Sequence, residues 1–126
     1  MYIYENLNPN KRRVGDCVVR AISKATGDNW KETYLNLCLK GLEMGDMPSS
    51  NSVWGAYLTD RGFKRGIIPN SCPQCYTVED FAREHPTGNF VVALGNHAVA
   101  VIDGDIYDTW DSSEEIPIYF WRDDNV

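Results

Sequence analysis

Apolar residues change their spacing along this chain, from three- and four-residue steps in the first half to continuous runs in the last third. Val18, Ala21, Ile22 and Ala25 fall on one helical face and Gly27 closes the run, predicting a helix that begins near Cys17. The stretch 8–15 before it is too rich in Asn, Pro, Gly and charge to be helical. Asp28 or Asn29 caps a second predicted helix with Glu32 in its first turn. Its stripe is Trp30, Tyr34, Leu37, Cys38 and Gly41, broadened by Leu35, Leu39 and Leu42, so Cys38 is expected in the core. After a loop over 44–50, Asn51 or Ser52 starts a third helix carrying Val53, Trp54, Tyr57 and Leu58 and ending at Gly62. Residues 63–68 are a short, mixed strand candidate. Thr77, with Glu79 and Asp80 behind it, caps a brief helix that stops before Pro86.

The β signal follows. Residues 90–94 are branched and apolar, Gly95-Asn96 turns them, and 97–102 form a second strand. Asp103-Gly104 is a two-residue type I′ hairpin signal leading into a third strand over 105–110. Residues 119–121 add a fourth before an acidic tail expected to be disordered, and 2–4 form an edge strand or packed arm. Helices first and strands second imply an α+β fold, with N-terminal helices on a C-terminal antiparallel sheet, in one domain over 1–126.

Composition narrows the function classes. Hydrophobic residues make up 43% and charged residues 24%, the ordinary balance of a globular protein. A formal charge of −6 and a pI near 4.8 argue against non-specific nucleic-acid binding. The sequence contains neither an apolar run long enough to span a membrane nor a secretory signal. With four cysteines and no export signal, reduced thiols in the cytoplasm are expected. The basic run Lys11-Arg12-Arg13 reads first as a solvated loop, and functionally as an attractor for an acidic substrate or a support for a thiolate.

Against that background Cys17 stands out. Unpaired N–H groups and the positive end of the dipole at a helix start favour an anion, lowering a thiol's pKa. Cys72-Pro73-Gln74-Cys75 has the spacing of half a zinc site, but lacks a second pair and sits in a turn, so a structural role without metal is expected. The Asp103-Gly104 turn sets a register in which Ile102 faces Asp105 and His97 faces Trp110. Asp108 is then the diagonal neighbour of His97 on one face, within reach of its imidazole, while Asp111 points the other way. A carboxylate so placed fixes the tautomer and direction of a histidine beside a thiol. Trp110 is the residue expected to shield that contact and meet substrate.

The order of Cys17 at a helix start, His97-Ala98-Val99 opening a strand and Asp108-Thr109-Trp110 resembles the papain-like cysteine peptidases. The stretch 15–23 also resembles the nucleophile motif of the OTU deubiquitinases, and the Asp108-Thr109-Trp110-Asp111 run is similar to one in small bacteriophage proteins. The resemblance implies a minimal papain-like fold and a cofactor-free Cys17–His97–Asp108 triad that hydrolyses peptide, isopeptide or other amides through a thioester. In papain a glutamine six residues before the nucleophile binds the oxyanion. Here that position is Lys11, leaving Asn10, or more weakly Asn8, beside the Cys17 N–H. The family's tryptophan after the cysteine is absent, as is the OTU aspartate, where Val14 stands. The rival expectation is a non-catalytic module, of phage origin, that engages a host protein.

Overall fold

The computed structural model describes residues 1–68 and 76–124. In chain order these form β1 (Tyr2–Tyr4), α1 (Cys17–Thr26), α2 (Trp30–Met44), α3 (Asn51–Asp60), β2 (Phe63–Ile67), α4 (Val78–Glu84), β3 (Asn89–Leu94), β4 (His97–Ile102), β5 (Asp105–Asp108) and β6 (Tyr119–Asp123). The architecture is α+β, with a six-stranded sheet in the order β1-β5-β4-β3-β6-β2.

The helices start and stop for local reasons. Gly27 takes the left-handed conformation (φ 82°) that ends α1, and Asn29 caps α2 by accepting from the Glu32 N–H at 2.8 Å. At α4 the Thr77 hydroxyl accepts from the Asp80 N–H while the Asp80 carboxylate accepts from the Thr77 N–H, a complete capping box.

The hairpin register follows from its turn. Asp103 and Gly104 both have positive φ, as a type I′ loop requires, and Ile102 pairs with Asp105. Strands β3 and β4 are buried on both faces, which is why each reads as a continuous apolar run rather than an alternation. Val91, Ala93, Ala98 and Ala100 meet α1, α2 and α3 through Ile22, Leu37, Trp54 and Leu58. On the opposite face Phe90, Val92, Val99, Val101 and Ile106 pack with Val78 and Phe81 of α4.

Four expectations change. The sheet is mixed, because β1 pairs with β5 in parallel; the intervening helices return the chain, so no hairpin joins the two. Strand β5 stops at Asp108 rather than running to Trp110. There the Asp108 carboxylate accepts from the Thr109 N–H at 2.8 Å, a local bond that competes with the ladder. Strand β6 runs on through Asp123, paired with Phe63 of β2, where an acidic tail had been expected to be disordered. Finally, Leu35, Leu39 and Leu42 are exposed, Leu42 by 80%, because the buried face of α2 is a narrow seam of Thr33, Leu37 and Gly41. Cys72 and Cys75 lie outside the described residues. No helix among the described residues is long and apolar enough to cross a membrane.

Candidate active site

Cys17 is the first residue of α1, and α1 packs on β4, the strand that His97 opens. The residue before it, Asp16, does not use its side chain to cap the helix. Instead the buried Asp16 carboxylate accepts from Arg20 Nε at 2.8 Å, Trp30 Nε1 at 3.0 Å and Asn8 Nδ2 at 3.2 Å. The first-turn N–H groups beside the thiol therefore carry no side-chain cap.

Across the hairpin, His97 Nε2 and Asp108 Oδ2 stand 2.7 Å apart, the contact the turn register implies. Asp108 is 1% exposed and its carboxylate is fully engaged. Oδ2 also accepts from Ser112 Oγ at 2.7 Å, and Oδ1 accepts from the Thr109 N–H at 2.8 Å and from an Arg20 terminal nitrogen at 3.1 Å. With Nε2 taken by Asp108, Nδ1 is the ring nitrogen left for Cys17. Asp111 is exposed and accepts from the Ser113 N–H instead.

The electrostatics follow from these contacts. Burial alone pushes the Cys17 thiol up. Hydrogen bonding to His97 and the Ala98 N–H, with the positive charges of His97 and Arg20, outweighs burial and brings it below its ordinary value. Burial likewise disfavours the His97 imidazolium, but hydrogen bonds to Asp108 and Cys17 and their negative charges push it up to about 9. Asp108 is raised by burial and lowered more by His97, Ser112 and the Thr109 N–H, ending below the usual carboxylate value. Together these shifts favour a thiolate–imidazolium pair.

Cys17 and His97 line an open cleft of about 370 Å³ together with Arg12, Arg13, Val14, Gly15, Asp16, Arg20, Asn96, Thr109 and Trp110. Trp110 is off the β-ladder but tilts against His97, ring centroids 4.9 Å apart, with 43% of its surface open to solvent. Asn10 is not brought to the cleft: its side chain is exposed, and its backbone N–H donates to Asn8 Oδ1 at 3.0 Å. Asn8 is buried and consumed by the same loop, accepting also from the Arg12 N–H. Among the residues that line the cleft the one that bears an amide is Asn96, in the exposed turn between β3 and β4.

Cys38 is half-buried rather than core. It lines a second, apolar cavity of about 380 Å³ between α1, α2 and residues 47–49, which shares Val14, Gly15 and Asp16 with the cleft. Among the described residues no group of three or more His, Cys, Asp or Glu side chains is arranged to hold a metal ion.

Arg20, Ser112 and Asn96 belong to this site although residue pattern did not single them out. Asp16 and Arg20 carry a legible signal, opposite charges at i and i+4 on a helix. Ser112 and Asn96 carry none, since a serine or a turn asparagine is unremarkable in sequence. Comparisons with protein-family models, with curated proteins and with solved structures return no match.

Proposed function

We propose that this chain is a cysteine hydrolase of amide bonds, built on a minimal papain-like arrangement. The observation that carries the reading is one imidazole held 2.7 Å from a buried carboxylate and lining the same cleft as a helix-start thiol, to which it is electrostatically coupled. His97 Nδ1 takes the Cys17 proton, and the thiolate attacks the substrate carbonyl carbon. The oxyanion that forms is held by the Cys17 N–H, with the Asn96 amide as the second donor the cleft offers. The C–N bond breaks as His97 returns its proton to the leaving amine, giving a thioester. Water, deprotonated by His97, then releases the acid and restores the thiol. Asp108 stabilises the imidazolium through both proton transfers. Peptide, isopeptide and other amide substrates all fit this chemistry.

Alkylation with iodoacetamide near neutral pH, read residue by residue by mass spectrometry, tests the nucleophile. Cys17 is expected to react well ahead of Cys38, Cys72 and Cys75, and profiling against peptide, ubiquitin-like and cell-wall amides then names the substrate. Equal, slow labelling would favour a non-catalytic binding module. The exposed Leu35, Leu39 and Leu42 on α2 are the observation on that side.

A further inference from the structure

We propose that the cleft selects a carboxylate beside the scissile amide, and that Arg12 and Arg13 are the residues that recognise it. This rests on the cysteine-hydrolase reading above and adds a substrate class to it.

The charges lining the cleft, apart from His97, belong to Arg12, Arg13, Arg20 and Asp16. Two of these are spent within the protein, because Arg20 pairs with Asp16 at 2.8 Å and with Asp108 at 3.1 Å. Arg12 and Arg13 remain. Among the described residues neither guanidinium has a carboxylate within ion-pair distance. Lys24, Lys40, Arg61, Arg83 and Arg122 elsewhere each have one, while Lys31, Lys64 and Arg65, away from the cleft, also have no ion pair among the described residues. What marks Arg12 and Arg13 is their place: in a chain with 18 acidic and 12 basic residues, two unpaired cations in the lining of the cleft that holds Cys17 set the local sign against the global one.

The arginines also stand on a fixed backbone. The Arg12 N–H donates to Asn8 Oδ1 at 3.3 Å, the Arg12 carbonyl accepts from Asn6 Nδ2 at 3.3 Å, and the Lys11 N–H donates to the Asn8 carbonyl at 2.9 Å. Asn6 and Asn8 are buried, and Asn8 is tied in turn to Asp16, the neighbour of Cys17. The backbone that carries Arg12 is thereby fixed, both arginines line the cleft, and guanidinium is the side chain best shaped to grip a carboxylate with two hydrogen bonds.

The test compares iodoacetate with iodoacetamide as alkylating agents of Cys17 in the full chain, since the two differ in carrying a carboxylate. The expected result is that the iodoacetate-to-iodoacetamide rate ratio falls by roughly threefold to tenfold in R12Q/R13Q, and that 0.5 M salt (about a 4 Å screening length) lowers it in the parent. R12K/R13K, which keeps both charges, should hold most of the ratio. Loss of the ratio there as well would mark damage to the loop and overturn the assignment. An unchanged ratio in R12Q/R13Q overturns the subsite while leaving the activated thiol standing. Cys17 labelled by iodoacetamide no faster than Cys38 overturns the nucleophile, and the subsite with it.

The carboxylate has two possible sources, an acidic side chain or a chain terminus. Chloroacetyl-glutamate α-amide carries the first and chloroacetyl-glycine the second, each measured against its neutral amide. The probe whose advantage disappears in R12Q/R13Q names the source, and no advantage for either overturns the proposal.

Discussion

Two helices of this chain begin in opposite ways. At α4, Thr77 and Asp80 close a reciprocal pair of bonds on the Thr77 and Asp80 N–H groups, and the two N–H groups between them are taken by backbone carbonyls, so nothing is left over for a ligand. At α1, the N-cap residue itself is an acid, and Asp16 turns its carboxylate inward to Arg20, Trp30 and Asn8 and leaves the first turn without a side-chain cap. The first arrangement, with the Val78 and Glu79 N–H groups donating to the Glu115 and Ser113 carbonyls at 2.9 Å, fully satisfies the start of a short helix of seven residues. The second leaves the dipole of a ten-residue helix available to the thiol at its first position. Asp16 is not wasted: through Arg20 it joins Asp108, so one chain of charges, Asp16–Arg20–Asp108–His97, ties the start of α1 to the hairpin facing it. An acid near a helix start can therefore serve the helix or the site. Which it serves depends on the partner waiting for it.

The comparison breaks most sharply at the thiol. On the proposed mechanism Cys17→Ala should lower amide hydrolysis by about 10⁴-fold or more, while the melting temperature barely moves, because the substitution removes one sulfur from a half-buried position. Next is Arg20→Ala, which strands the buried Asp16 and Asp108 carboxylates together. Breaking a buried pair costs about 3–5 kcal/mol, so thermal melting should show a fall on the order of 10–20 °C. Cys17 alkylation should slow as well, since Arg20 favours the thiolate.

Asp108→Ala should reduce activity by roughly 10²- to 10⁴-fold, whereas Asp108→Asn retains a hydrogen bond to the ring and a larger share of turnover. Asp111→Ala should be almost silent, being exposed and bonded only within its own turn. If steady-state kinetics reversed that order, the hairpin register would have been assigned the wrong acid.

Acidity provides a fourth test. His97 has an ordinary value of 6.5 and is pushed up to about 9 in the fold, so its stabilising contribution is complete below about pH 6.5 and is lost as pH rises through about 9. Asp108 works in the opposite sense: held below its ordinary 3.8, it contributes above that value and the contribution disappears on acidification. Melting temperatures measured across pH should be highest between about pH 4 and 6.5, declining as pH rises from there towards 9 and again on acidification, and His97→Gln should flatten the alkaline limb. The smallest effect belongs to the other helix. Thr77→Ala should remove about 1 kcal/mol in a denaturant titration and leave the Cys17 alkylation rate where it was.

How much was legible follows the range of each interaction. The start of α1 at Cys17, its end at Gly27, the Thr77 cap and the Asp103-Gly104 turn were all written in residues a few positions apart, because capping and turn geometry are local. That turn also carried a longer inference. A two-residue loop admits one register, and the register alone puts His97 and Asp108 within reach. Beyond short range the pattern misled. Leu35, Leu39 and Leu42 look like core because hydrophobicity records what a face is fit to bury, not whether a neighbour arrives to bury it. Asn10 sits at a plausible sequence distance from Cys17, yet the loop's bonds to Asn8 hold it outside the cleft.

Sequence by itself determined the helix starts, the central hairpin and its register, and the order of Cys, His and Asp. The tertiary structure decided the parallel pairing of β1 with β5, the pinning of Asp108 by Arg20 and Ser112, and the arginine-lined wall of the cleft. The physical reason is that turns, caps and register are set by backbone geometry over a few residues. Buried charge partners are set instead by which distant side chains the packed helices and sheet leave within 3 Å of one another.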